Sequence, residues 1–231
     1  MEEDRRNILL AGIGLALGGC GGSSLRRSGP LVLPGPHWPG GSMRPAPSQP
    51  ATAIAPAKTD AAGPIPVHRR NRWAGAGPNT SSINPMSGVG RITIHHEGYK
   101  PVWFSDVAST RDRLELIRKS HRSRGWSDIG YHFILDRGGR VWEGRPVRYQ
   151  GAHVRSNNRH NIGVMVLGNF ERQKPSAAQL RTLPQFIAKL RRHYKVEASK
   201  IYTHRELVAT SCPGKNLQPQ VVAMRRQRLF A

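Results

Sequence analysis

The run NIGVMVLG, residues 161 to 168, is apolar on both faces of a strand. A strand with one face in water alternates apolar and polar side chains, so this one has to be covered on both sides. That segment demands a layered fold, with a sheet in the middle and other elements packed above and below it. The rest of the chain supplies the layers. RITIHH puts Ile92 and Ile94 on one strand face and Thr93 and His95 on the other. STRDRLELIRKSHRSRG reads as a helix capped by Ser109 or Thr110, with Asp112 in its first turn and a stop at Gly125. YHFILDRGGRVWEG reads as two short strands turning at Gly138-Gly139. SAAQLRTLPQFIAKLRRHY carries Leu180, Leu183, Ile187, Leu190 and Tyr194 at helical spacing, and Pro184 is expected to kink or restart that helix. KIYTH is a further short strand, and VVAMRRQRLF a terminal helix. Strands alternating with helices predict an α/β (α+β) domain: a central mixed β-sheet flanked by helices.

This pattern begins near Val67. Residues 21 to 66 hold ten of the 18 prolines and seven of the 25 glycines, with almost no strand or helical period. Such a segment cannot bury enough apolar surface to offset its ordering entropy, and reads as an extended tether. Ahead of it, MEEDRRNILLAGIGLALGGC has Arg5 and Arg6, an apolar run from Ile8 to Leu17, and small residues before Cys20. That is the order of an export signal. Arg5-Arg6 before a Gly-containing core resembles a twin-arginine signal, and Leu17-Gly18-Gly19-Cys20 resembles a bacterial lipobox, whose cysteine is lipidated. The other reading is a cytosolic chain with an apolar first turn. The expected organisation is a signal with lipobox over residues 1–20, a tether over 21–66 and a folded domain over 67–231. It implies an exported protein, held by a lipid on Cys20 to the bacterial cell envelope, on the periplasmic side or the cell surface. No apolar run reaches the ~20 residues that an ordinary transmembrane helix needs.

Charge narrows the partners less. Lys and Arg number 36 against 14 Asp and Glu, a formal net charge of +22. Such a surface attracts polyanions, whether nucleic acid, anionic lipid or an acidic wall polymer. An export signal and the lack of an interleaved aromatic pattern for base stacking argue against nucleic acid, and no nucleic-acid partner is expected.

The chain has two cysteines. With Cys20 consumed in a thioether, Cys212 has no disulfide partner within the chain. It is then a buried bystander, a nucleophile or a metal ligand. THRELVATSCPG places His204 eight residues before it, and His95 lies near the end of another strand. Two imidazoles and a thiolate are good zinc ligands, leaving a fourth position for water, whose pKa zinc brings to ~7. Spacing alone does not choose that reading over a cysteine packed as a small hydrophobe.

ITIHHEG, GWSDIGYHFILDRGGRVWEGRP, GAHVRSNNRHNIGVMVLGNF and THRELVATSCPG occur in this order. Together these four blocks, over roughly residues 67 to 215, resemble the zinc-dependent N-acetylmuramoyl-L-alanine amidases that share the fold of peptidoglycan recognition proteins and phage lysozyme-amidases. The resemblance implies that fold, a bound Zn2+ and ligands His95, His204 and Cys212. His96 then points the other way in a structural role. It also implies that Tyr131 lies by the reacting oxygen and that Thr210 is a second polar group on the carbonyl. Relatives carry Lys or Thr there, and threonine brings no positive charge.

Some relatives place a general-base glutamate on the strand matching IGVMVLG, where this chain has Met165 and Leu167. The base is thus left among Tyr131, the metal-activated water and an unplaced carboxylate; Glu206 and Glu143 are candidates for that carboxylate, with a structural role the favoured reading of both. His153 and Asn158 fall in a block resembling a loop beside the substrate groove, and either binds substrate or supports that loop. Trp126 and Asp128 are expected to position the turn before Tyr131, and His121, His132, His160 and His193 to be surface or packing residues. The implied reaction is hydrolysis of the amide between the lactyl group of N-acetylmuramic acid and L-alanine. The alternative is a module of the same fold that binds peptidoglycan without cutting it. Expected partners are peptidoglycan or muropeptides and a membrane, through the lipid anchor; a monomer is expected.

Overall fold

The computed structural model describes residues 65–231. The expected signal, Cys20 and almost all of the expected tether lie outside the described residues. Within them a six-stranded mixed sheet is built from β1 (Val67–His68), β2 (Arg91–His96), β3 (Phe133–Leu135), β4 (Val141–Glu143), β5 (Asn161–Val166) and β6 (Ile201–Thr203). The strand order is β1-β4-β3-β5-β2-β6. Strands β3, β5, β2 and β6 run parallel, β4 is antiparallel to β3, and β1 is parallel to β4. Helices α1 (Val107–Ser123), α2 (Ala177–Tyr194) and α3 (Gln218–Arg226) complete the described fold.

Strand β5 is where the sequence expected it, and every one of its residues is buried. Its Ile162, Val164 and Val166 join Ile92 and Ile94 of β2 in one core, closed by Phe186, Ile187 and Leu190 of α2 and Val221 and Met224 of α3. Met165 and Leu167 point to the other core, with Leu114 and Ile117 of α1, Ile134 and Trp142. The two cores are the two covers that an all-apolar strand requires. The residues of β2 and β5 facing the α1 side include Thr93, His95, Asn161 and Gly163. Buried polar side chains are thus concentrated on this face.

Two local expectations are corrected. The cap of α1 is Asp106, three residues earlier than Ser109; its Oδ1 accepts the Ser109 N–H at 2.7 Å. The carboxylate also faces the positive end of the helix, which a hydroxyl cannot exploit. Thr110 lies inside the helix, its hydroxyl donating back to the Asp106 carbonyl at 2.7 Å. Pro184, expected to interrupt α2, sits within one continuous helix and is buried there. The missing hydrogen bond, a cost of about 3 kcal/mol, is offset by packing. Leu183, Phe186, Ile187 and Leu190 on both sides of it fill the same core. A capping box of Ser176 and Gln179 holds the other end of the helix.

Candidate metal centre

His95 arrives on β2, one step from the carboxyl end of that strand. His204 begins the 3-10 turn that follows β6, the neighbour of β2. Parallel pairing therefore delivers both imidazoles to the same end of the sheet. Ligands bind at this end in open parallel sheets. Cys212 comes back to them because the loop closes on itself: the Arg205 N–H donates to the Cys212 carbonyl at 3.0 Å. The eight-residue spacing of His204 and Cys212 is the length of that closed loop.

The ligand atoms of His95, His204 and Cys212 all lie within 4.8 Å of one another, and all three residues are buried. The Sγ of Cys212 is 3.7 Å from Nδ1 of His95. A tetrahedral zinc with its usual bond lengths would hold a sulfur and a nitrogen about 3.6 Å apart. Burial holds His95 well below 6.5, with the neighbouring His204 and His153 adding to the effect, and it brings His204 to about 4. Both imidazoles are neutral at pH 7 and keep a lone pair to give. Burial pushes the Cys212 thiol up to about 12, yet a cation beside it would take the thiolate, since coordination removes the proton outright. The His96 N–H, 3.4 Å from Sγ, is placed to support that charge. In donor type, separation and protonation the set fits a zinc ion.

A hydrogen-bond chain selects which nitrogen His95 offers. Nε2 of His153 is 3.1 Å from the Asn161 carbonyl, which can only accept, so that nitrogen carries a proton. Nδ1 of His153 is then the acceptor, and it faces Nε2 of His95 at 3.1 Å. His95 is consequently protonated on Nε2 and bare on Nδ1, the atom turned toward Cys212. Metal-bound histidines are commonly fixed in this way by a partner on the second nitrogen. Gly163 makes room for it: a Cβ there would lie 2.6 Å from the His153 ring, which is itself 1% exposed.

Tyr131 packs beside the cluster, its ring centroid 5.3 Å from that of His95. Burial pushes its phenol far up, with Cys212 and Glu97 adding to the rise, so it remains a donor at any working pH. Its segment is fixed by Arg145, which was not singled out in the sequence. The Arg145 guanidinium donates to the carbonyls of Ile129, Gln150 and Asp128, and its N–H to the carbonyl of Tyr131. Trp126 packs against the His121 ring, their centroids 4.5 Å apart, and Asp128 pairs with Arg70 at 2.9 Å, both in the turn expected to position Tyr131. A buried arginine in EGRP carries no periodic signal; only the three carbonyls it meets reveal its purpose.

Other candidates find mainly structural partners. The Thr210 hydroxyl oxygen accepts the Cys212 N–H at 3.2 Å, leaving its own proton to direct elsewhere. His153 is buried against His95, and Oδ1 of Asn158 accepts the N–H groups of His153 and Val154, both at 2.9 Å. Glu206 is held by Arg225 at 2.8 Å and bonds the Thr203 N–H, while Glu143 accepts the Arg70 N–H. Neither faces the cluster as a base. Met165 pairs directly with His95 in the sheet register, so β5 brings no carboxylate alongside. Glu97 does come close. It is buried in an ion pair with Arg113, and burial raises it to about 7 despite that partner. It directly follows the histidine pair, a position for which the sequence offers no periodic clue. His121 and His132 are buried packing residues; His160 is half-buried and His193 exposed.

Comparison with known proteins places this geometry. Residues 85–215 match the N-acetylmuramoyl-L-alanine amidase family. The chain is 34% identical over 159 residues to the N-acetylmuramoyl-L-alanine amidase of Sus scrofa, covering 65% of this chain and 26% of that protein. To peptidoglycan-recognition protein SC2 of Drosophila simulans it is 30% identical over 159 residues, covering 68% of this chain and 85% of that one. The chain thus spans about a quarter of the pig relative and most of the insect one. Among solved structures it resembles the ectodomain complex of peptidoglycan recognition proteins LCa and LCx with tracheal cytotoxin bound. There the TM-score is 0.59 at 29% identity, over 65% of this chain and 90% of the other.

Proposed function

The chain belongs to the N-acetylmuramoyl-L-alanine amidase family, and on that footing we propose that it hydrolyses the amide joining the lactyl group of N-acetylmuramic acid to L-alanine of the stem peptide, with zinc held by His95, His204 and Cys212. The observation that carries this is the convergence of those three buried donors within 4.8 Å. When bound there, zinc supplies Lewis acidity, polarising the amide carbonyl and lowering the pKa of water. The chain's own residues do the rest. His153 keeps His95 in the tautomer that offers Nδ1. The phenol of Tyr131, held protonated by burial, donates to the oxygen on which negative charge grows. Thr210, its oxygen already used by the Cys212 N–H, has one proton to donate to the same side of the substrate. The full set of donors favours cutting over binding alone.

Mass spectrometry of peptidoglycan treated with the full chain tests this. Stem peptides beginning at L-alanine should appear, vanish with a zinc chelator and return with added zinc. Intact muropeptides from zinc-loaded protein would move the assignment to the binding module. Tyr131→Phe is expected to lower kcat about 100-fold, the usual loss for one oxyanion donor, while zinc content stays unchanged. An unchanged kcat would remove Tyr131 from the chemistry.

Export and anchoring belong to the same proposal. They rest on Arg5-Arg6, the short apolar run and the Leu17–Cys20 sequence. Cys20→Ala should move the protein from the membrane fraction to the soluble fraction of the envelope; persistence in the membrane would refute the lipid.

A further inference from the structure

Among the described residues, Trp103 at 66% and Val107 at 41% are the large apolar side chains left exposed. Trp103 lies in the connection from β2 to α1, and Val107 opens α1. A tryptophan in water forgoes a large apolar burial, and this one is not on a loose loop. Gln173 grips the residue before it: its Oε1 accepts the Val102 N–H at 2.6 Å, and its Nε2 donates to the Val102 carbonyl at 2.9 Å. Nδ2 of Asn169 donates to the carbonyls of Gly98 and Tyr99 at 3.1 and 2.9 Å. The loop is fixed, and it holds the indole outward.

The surroundings of the ring are basic. The Arg137 guanidinium lies over it, 5.0 Å from the ring centroid. Nη1 of Arg137 is covered there without a hydrogen-bond partner, so the contact leaves a donor unsatisfied, which is costly. Lys100 precedes the indole in the same loop, and Arg172 and Lys174 flank Gln173; all three are exposed. The acidic groups of these segments are committed elsewhere. Asp136 pairs with Arg140 at 2.7 Å, Glu97 with Arg113, and Asp106 caps α1. Glu171 accepts the Lys215 N–H at 2.9 Å and faces Arg205 at 3.6 Å. The free charges around Trp103 are therefore positive.

Topology places this patch. Arg137 follows β3 and the Trp103 loop follows β2, so both stand at the carboxyl end of the parallel strands. Strand β1 runs parallel to β4, and Val67 pairs with Val141 at that same end, where residues 1–64 join the domain. His204 and Cys212 come after β6, on the opposite flank of the sheet. We infer that this patch docks on the surface of an anionic lipid bilayer, with Trp103 entering the headgroup layer and Lys100, Arg137, Arg172 and Lys174 meeting lipid phosphates. Tryptophan settles at the membrane–water interface because its ring is apolar and its N–H polar, and each basic residue near an anionic leaflet adds attraction. Such a patch binds weakly and reversibly by itself. It orients a domain that a lipid on Cys20 would keep nearby, and it washes off when that lipid is missing. The inference goes beyond hydrolysis and does not depend on it.

The test uses the full chain carrying Cys20→Ala, so that no lipid contributes, titrated with vesicles of phosphatidylglycerol and phosphatidylcholine or of phosphatidylcholine alone. Partition to the mixed vesicles should fall about tenfold in Trp103→Ser, the effect of exposing one large apolar side chain. Lys100→Gln and Lys174→Gln should each lower it about fivefold, and these losses should shrink as salt rises. On phosphatidylcholine alone the two charge variants should no longer differ from their parent. Lipid with brominated chains should quench part of the parent's tryptophan emission, and that part should drop in Trp103→Phe, which keeps a ring for packing. Unchanged partition in Trp103→Ser, or quenching undiminished in Trp103→Phe, would overturn the inference. So would Trp103-dependent binding to purified peptidoglycan with none to vesicles, which would reassign the ring to the wall polymer.

Discussion

Cys212→Ala is expected to reduce bound zinc from about one ion per chain to near none, and to lower peptidoglycan cleavage by at least ~1,000-fold, because the water activation that zinc provides spans ~9 pKa units. The side chain is small and its loss opens little space, so the fold should survive. The two readings of the cysteine left open by its spacing separate here. A thiol packed only as a small hydrophobe would cost about 1 kcal/mol of stability on truncation and leave metal content unchanged. A ligand takes the metal with it. Sγ lies 3.7 Å from Nδ1 of His95 and faces the His96 N–H, surroundings suited to a thiolate. Elemental analysis of the purified variant, alongside His204→Ala as a second ligand deletion, is the measurement. Stoichiometric zinc in both variants with retained cleavage would refute the site.

Acid should unfold the metal-free protein well before its exposed carboxylates titrate. Six histidines, His95, His96, His121, His132, His153 and His204, are buried and held below 6.5, chiefly by burial. Burial brings His96 and His121 to about 3, and His132 and His204 to about 4. Geometry agrees for three of them: Nδ1 of His96, His121 and His132 accepts the backbone N–H of Phe170, Gly130 and Gly163 respectively. A proton on any of those nitrogens would set two N–H groups against each other.

The sign follows from proton counts. Between about pH 4 and 6.5 the unfolded chain binds protons that the folded chain refuses, so stability rises with pH and is lost as pH falls. It is fully present above 6.5. With six groups the slope is on the order of 8 kcal/mol per pH unit at its steepest, against a total stability of about 5–15 kcal/mol for an ordinary domain. Denaturant unfolding of the metal-free protein should show a midpoint that is level from pH 8 to 7 and collapses between 6.5 and 5. His121→Asn, remote from the ligands, should make the fall shallower. A midpoint unchanged at pH 5.5 would sink the account.

Much of the architecture was legible because its signals are local. An apolar strand has to be covered twice wherever it occurs, and the alternation of period-2 and helical segments carries the mixed sheet with it. Local signals also failed locally. The helix cap at Asp106 and the unbroken helix through Pro184 both depend on what surrounds them, a dipole in one case and a filled core in the other. For the site, residue types were readable from the four blocks, and their resemblance to known amidases drew attention to His95, His204 and Cys212. Arg145 and Glu97 were not readable, since neither belongs to a periodic pattern.

The sequence by itself determined a doubly covered sheet, the elements that cover it, and which side chains have chemistry to offer. Only the tertiary structure decided how those side chains meet. It set Nδ1 of His95 toward Cys212 by packing His153 on Gly163, and closed the loop that returns Cys212 to His204. These are contacts between residues 58 positions apart for His95 and His153, and 117 apart for His95 and Cys212. The physical reason is range: periodicity is set by neighbours along the chain, whereas a tautomer or a ligand geometry is set by atoms that only folding brings within about 3 Å of each other.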